Sequence, residues 1–108
     1  MARALIHMPS AAAKGDVIEI RALIGHPMET GYRPGADGRL LARDIIRQFS
    51  CRYNGVLVFS AELHPAISAN PYLAFYTVAT DSGTLEFTWE GDNGFTHAER
   101  MPLAVSAP

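Results

Sequence analysis

Apolar and polar residues alternate over residues 16–25: Ile18, Ile20, Ala22 and Ile24 share one parity, and Glu19 and Arg21 take the other. A period of two predicts a half-buried strand. Residues 84–90 repeat it, with Leu85, Phe87 and Trp89 inward and Glu86, Thr88 and Glu90 outward. Residues 45–53 set Ile45, Phe49, Cys51 and Tyr53 on one face, with Arg47 and Arg52 elsewhere. Asn54-Gly55 comes next. Both residues tolerate positive φ, so the pair predicts a type I′ turn that joins 49–53 to 56–63 as a hairpin. Residues 72–80 break the alternation. Tyr72, Ala74, Tyr76 and Val78 point one way, Leu73, Phe75, Thr77 and Ala79 the other, and both sets are largely apolar. An antiparallel strand in water normally keeps one wet face. This strand therefore lies covered on both sides, or turns one face to another protein.

Shorter signals complete the set. Residues 3–8 form an edge strand ended by Pro9, since proline cannot donate to a ladder. Residues 10–15 are small and predict a turn. Asp81-Ser82-Gly83 and Asp92-Asn93-Gly94 are tight turns, and 95–105 is a last strand weakened by Pro102. About seven short strands with turns every 8–12 residues predict an all-β, immunoglobulin-like antiparallel β-sandwich. No amphipathic helix and no repeat appears, and 108 residues make one domain, 1–108.

Two irregular stretches stand out. Residues 26–38 run His-Pro-Met-Glu-Thr-Gly-Tyr-Arg-Pro-Gly-Ala-Asp-Gly, and residues 64–71 run His-Pro-Ala-Ile-Ser-Ala-Asn-Pro. A loop as long as the first is often functional in a compact domain.

Charge adds a polarity. The chain carries a net charge of -2, which argues against nucleic acid as the main partner. Yet the first half holds most of the basic residues. Arg33, Arg39, Arg43, Arg47 and Arg52 fall in one central segment, with Asp37 and Asp44 as partial counterweights. Such a segment is a solvated face or a surface for an acidic partner or anion. The lone Cys51 cannot form an internal disulfide.

Catalytic signals are weak. One cysteine, four histidines and four methionines suggest copper. However, Cys51, His64 and Met101 are too far apart in sequence for a blue-copper loop. Cys51 reads as a small core hydrophobe. His26-Pro27 and His64-Pro65 are matching loop starts, and a metal held by His26 and His64 is one reading. Two histidines without a third ligand make a poor site, so each imidazole more readily braces its own loop. His7 and His97 read as surface residues. No nucleophile elbow or phosphate loop appears. The residues alone describe a non-enzymatic sandwich with surplus apolar surface and no cofactor.

Particular motifs carry a resemblance. Gly25-His26-Pro27-Met28-Glu29-Thr30-Gly31 after the 18–24 strand resembles the SoxZ family of bacterial thiosulfate oxidation. So do Phe49-Ser50-Cys51, Tyr53-Asn54-Gly55, the run from Phe59 to Tyr72 that contains His64-Pro65-Ala66-Ile67-Ser68-Ala69-Asn70-Pro71, and the run from Gly83 to Trp89. The resemblance covers nearly the whole chain and implies an immunoglobulin-like subunit that pairs with SoxY. It also implies that SoxY holds the sulfur substrate on a cysteine of a flexible glycine-rich arm, while the Z subunit supplies no catalytic residue. The residues after Arg100 contain no such arm, and Cys51 within a strand is not a carrier thiol.

Together these features predict a heterodimer with SoxY and transient contacts with other Sox enzymes. The partner-binding set is His26, Pro27, Met28, Glu29, His64, Pro65, Asn70, Pro71, Tyr72, Phe75 and Tyr76. The alternatives are a small histidine-loop metal protein and a generic immunoglobulin-like binding module. No apolar stretch is long enough to span a membrane. The first residues carry no secretory h-region, which taken alone reads as cytoplasmic. The resemblance instead implies export to the periplasm with a twin-arginine-signal partner.

Overall fold

The computed structural model describes residues 3–107. Among them lie eight strands: β1 (Ala4–His7), β2 (Ala11–Ala13), β3 (Val17–Ile24), β4 (Ile46–Tyr53), β5 (Val56–Glu62), β6 (Tyr72–Val78), β7 (Gly83–Gly91) and β8 (Thr96–Ser106). They form two sheets, one ordered β1-β3-β6 and the other β2-β8-β7-β4-β5. The result is the predicted all-β sandwich of immunoglobulin type. No helix of the described residues is long and apolar enough to cross a membrane.

The periodicities land as read. Ile18, Ile20, Ala22 and Ile24 of β3, Phe49, Cys51 and Tyr53 of β4, and Leu85, Phe87 and Trp89 of β7 are all buried in one core. Aromatic rings fill its centre. Phe49 lies 5.1 Å from Trp89 and 5.9 Å from Phe75 between ring centroids. Asn54 and Gly55 take φ values of 49° and 84°, as the tight hairpin turn requires.

The 10–15 stretch is a correction. Most of it is not a turn. After Pro9 the chain crosses to the other sheet, and Ala11–Ala13 pairs in parallel with β8, Ala11 opposite Ala104. The sandwich is therefore antiparallel except for this pair. Three alanines carry no period, so the sequence pattern is silent there.

Two bulges shape the edges. The β4–β5 register shifts between Cys51 and Arg52, and the β4–β7 register shifts between Ile46 and Gln48. The second bulge leaves Arg47 without a register partner in β7, and its side chain reaches Asp92, Nε to Oδ1 at 3.2 Å. Gly91 stands at this crossing because a Cβ there would collide with the backbone of Ile45.

Tyr53 closes the far end of the sandwich. Its hydroxyl donates to the Asp81 carbonyl and accepts from the N–H groups of Thr80 and Asp81. This ties the end of β4 to the turn after β6.

Candidate partner interface

The two long loops share one end of the sandwich and are bound together. The His26 N–H donates to Asn70 Oδ1 at 3.0 Å, and the Asn70 N–H donates to the His26 carbonyl at 2.8 Å. The Ile24 N–H donates to the Pro71 carbonyl at 3.2 Å, extending the β3–β6 ladder into the junction. Asn70 takes φ 54° and Met28 φ 50°. Asparagine visits this region readily, whereas methionine rarely does. Met28 is held there from two sides. Its N–H donates to His26 Nδ1 at 3.0 Å, and its sulfur accepts from the Ile46 N–H at 3.2 Å.

His26 is thus a brace. Its ring is buried edge-on to Phe95 at 5.0 Å, with Nδ1 accepting from Met28 and Nε2 3.7 Å from Asp44 Oδ1. Neither nitrogen points to solvent as a ligand would need. His64 is exposed and borders a different feature, a cavity of about 310 Å³ lined by Arg43, Arg47, Glu62 and Glu90. Among the described residues no three of His, Cys, Asp and Glu gather as a metal would require.

Beyond Met28 the first loop continues to Asp44 as a two-legged arm. Glu29 and Asp44 exchange backbone hydrogen bonds at 2.8 Å, and Pro34 lies opposite Leu40 nearer the tip. Tyr32 and Leu40 are strongly exposed on it. The arginines find partners other than those expected. Arg33 pairs with Glu29 at 2.6 Å, and Arg43 pairs with Asp92 at 2.8 Å, where Arg47 also reaches. The Arg43 hydrogen bond holds the Asp92 carboxyl below its usual range. Among the described residues Arg39, on the arm, and Arg52, at the far end of β4, lack a carboxylate within ion-pair distance, so the central arginines do not form one cluster.

The outer faces of the two sheets differ in kind. On the larger sheet, Arg52, Glu86 and Arg100 stand side by side across β4, β7 and β8, and Arg100 Nε donates to Glu86 Oε2 at 2.8 Å. This face is mainly polar, with Leu57 exposed opposite Arg52. On the smaller sheet, Leu5, Val17, Tyr72, Tyr76 and Val78 are exposed at 61%, 67%, 56%, 62% and 46%. Leu23 lies between Leu5 and Tyr72 in register, and Val17 lies opposite Val78. At the centre is one polar cluster. Arg21 Nε donates to Glu19 Oε1 at 2.9 Å, and the Tyr76 hydroxyl donates to Glu19 Oε2 at 3.1 Å. The bond to Glu19 pushes the Tyr76 phenol pKa up. An exposed apolar patch with a satisfied polar centre makes this face the candidate partner surface.

The sequence-derived set divides accordingly. Tyr72, Tyr76, Pro27, His64 and Asn70 are exposed, Glu29 and Pro65 half-buried. His26, Met28 and Phe75 are 5%, 4% and 5% exposed, and Pro71 is buried as well. In this chain those four support the surface from beneath. Phe75 lies in the core, stacked on Phe59 at 4.3 Å. Leu5, Val17, Leu23 and Val78 extend the patch and were absent from that set. The parity of Glu19 and Arg21 also holds Val17 and Leu23, a signal present in the sequence. His97 is a second correction. It is half-buried beside Trp89, its Nε2 2.8 Å from Glu99 Oε1, rather than a surface residue.

Cys51 is fully buried, and burial pushes its thiol pKa up to about 12. The thiolate is the nucleophilic form, so this cysteine is inert in the fold.

The geometry therefore defines an immunoglobulin-like sandwich with an exposed apolar patch on the outer face of its smaller sheet. The family model for the sulphur oxidation protein SoxZ matches residues 6–102, almost the full length, and the chain belongs to that family. It is a Sox-related protein of sulfur oxidation. Comparison by sequence with curated proteins finds no match. By structure, the chain is similar to a superoxide reductase (neelaredoxin) from Ignicoccus hospitalis, with TM-score 0.73, 19% identity, and 95% of this chain and 80% of that one covered. It is also similar to the sulfur carrier protein SoxY from Chlorobium limicola f thiosulfatophilum, with TM-score 0.67, 12% identity, and 95% and 78% covered. A putative superoxide reductase from Thermotoga maritima gives TM-score 0.72, 16% identity, and 95% and 85% covered. At these identities the likeness shows the fold alone.

Proposed function

We propose that this chain is the non-catalytic subunit of a two-chain sulfur carrier. It pairs with a SoxY-type chain, and the partner bears the sulfur-holding cysteine. The observation that carries this reading is the contrast between the outer faces. The face of β1-β3-β6 exposes Leu5, Val17, Tyr72, Tyr76 and Val78, while the opposite face is mainly polar, with Arg52, Glu86 and Arg100 side by side across three strands and Leu57 exposed at its edge. A standard interface buries roughly 800 Å² per partner. One sheet face with the bound loop pair at its end is of that scale. Membership of the SoxZ family supports the choice of partner, and burial of Cys51 supports assigning the carrier thiol to the other chain.

In this reading the loop pair frames the docking edge, and Arg39 and Arg52 meet acidic surfaces of the enzymes that act on the cargo. The complex works in the periplasm, reached together with the exported partner.

Light scattering on the chain alone and with a SoxY-type chain from the same source tests the pairing. The expected result is self-association alone and a 1:1 species with the partner. A well-behaved monomer that ignores the partner would overturn it.

A further inference from the structure

The two flanks of the sandwich are unequal. On one flank the chain itself bridges the sheets, as β1 of the smaller sheet runs on into β2 of the larger. On the other flank β5 and β6 are both edge strands, and no strand links them. Three strands face five, so the inner side of β5 is covered only in part. Phe59 of β5 reaches Phe75 of β6 and plugs one end of the gap. The remainder is an open cavity of about 520 Å³ between Val56 and Val58 on one side and Thr77 and Val78 on the other.

The free edge of β6 has a definite set of donors and acceptors. The β3–β6 register pairs Leu23 with Tyr72 and Val17 with Val78. In that register Ile24 bonds Pro71, and Ala79 bonds Asp16. Bonded and non-bonded pairs alternate in an antiparallel ladder. Leu73, Phe75 and Thr77 therefore spend their backbone groups on β3. Tyr72, Ala74, Tyr76 and Val78 turn theirs to the empty side. This edge is seven residues long and has no proline, charge or bulge, the devices that normally guard an edge.

We propose that the slot beside β6 takes an extended segment of the partner chain as a fourth strand of the smaller sheet. The occupant is a run of about six residues free of proline. It is apolar at alternate positions, where its side chains cover Val58 and Phe59, and it is held by main-chain hydrogen bonds. The slot is continuous with the docking face, since Tyr72, Tyr76 and Val78 belong to both. The inference rests on the pairing proposed above.

The test is backbone amide hydrogen exchange on the chain alone and mixed with the SoxY-type chain, alongside the variants Ala74→Pro and Ala74→Ser. Proline at 74 removes an outward N–H and leaves the β3 ladder intact. The expected result is fast exchange at residues 72, 74, 76 and 78 in the lone chain and slowing of about a hundredfold in the complex. Ala74→Pro should weaken the complex by about tenfold and Ala74→Ser should not. A complex in which these four amides still exchange freely overturns the strand addition and leaves the pairing standing. Protection of the same amides in a homodimer of this chain also overturns it. Absence of any complex overturns both readings.

Discussion

His26 and Asn70, 44 residues apart, hold each other twice, once backbone to side chain and once backbone to backbone. Through this pair the two proline-stiffened loops behave as one unit, and the end of β3 is locked to the start of β6. Asn70→Ala removes the side-chain acceptor and places a Cβ residue of poor left-handed propensity at φ 54°. The expected cost is about 1–3 kcal/mol, read by denaturant unfolding. Asn70→Gly restores the backbone freedom but not the acceptor. A Gly variant as stable as the native chain would show that the hydrogen bond contributes nothing.

Phe75 and Tyr76 are neighbours with opposite duties. Phe75 is core, so Phe75→Ala should cost about 3–5 kcal/mol of stability. Tyr76 is outward, so Tyr76→Asp, which loses the bond to Glu19 and sets a carboxylate opposite it, should cost only about 1 kcal/mol of stability. It should also weaken pairing by about 2 kcal/mol or more. Titration calorimetry with the SoxY-type chain and thermal unfolding of the free variants separate the two effects.

The outward parity of β6 was already legible in the sequence, and so were β3, β4, β5, β7 and the Asn54-Gly55 turn, because periodicity and turn chemistry are local. The split of the candidate residues was not. Whether a residue such as Phe75 or Met28 lies beneath a surface or on it depends on what packs across the sandwich. The ion pairs of Asp92 were illegible for the same reason. Asp92 lies 49 residues from Arg43, and Arg47 reaches it from the β4 bulge. β2 gave no pattern at all, since its partner β8 alone makes three alanines a strand.

Asp92 should shape the acid limb of stability. Its carboxyl is held low by Arg43, with help from the Ile45 N–H and Arg47. A depressed carboxylate stabilises the fold above the unfolded value of about 4, and that gain is lost as pH falls through the lower folded value. Asp92→Asn should therefore unfold at a lower temperature than the native chain at neutral pH, with the gap closing in acid. Thermal scans across the acid range check this, and parallel curves would count against it.

Cys51 should shape the alkaline limb. Its raised folded pKa of about 12 means that the stabilising contribution is complete below the unfolded thiol value of about 8.5 and is lost as pH rises through the folded one. Cys51→Ala should flatten the decline in melting temperature between those limits. In the native chain a thiol reagent should fail to label Cys51 at neutral pH and should label it fully in denaturant.

The parallel pairing of β2 with β8 has a mechanical meaning. Lys14 donates to Ser106 and Ala104 to Ser10, so the bonds span the full length of the contact. A pull applied ahead of β2 and behind β8 drives the two strands past each other lengthwise. Every bond of the contact then carries load together, and none can open singly from an end. Drawn through a narrow opening or tugged by a tethered partner, the sandwich would resist as a clamp resists, with its weakest fastening loaded in its strongest direction.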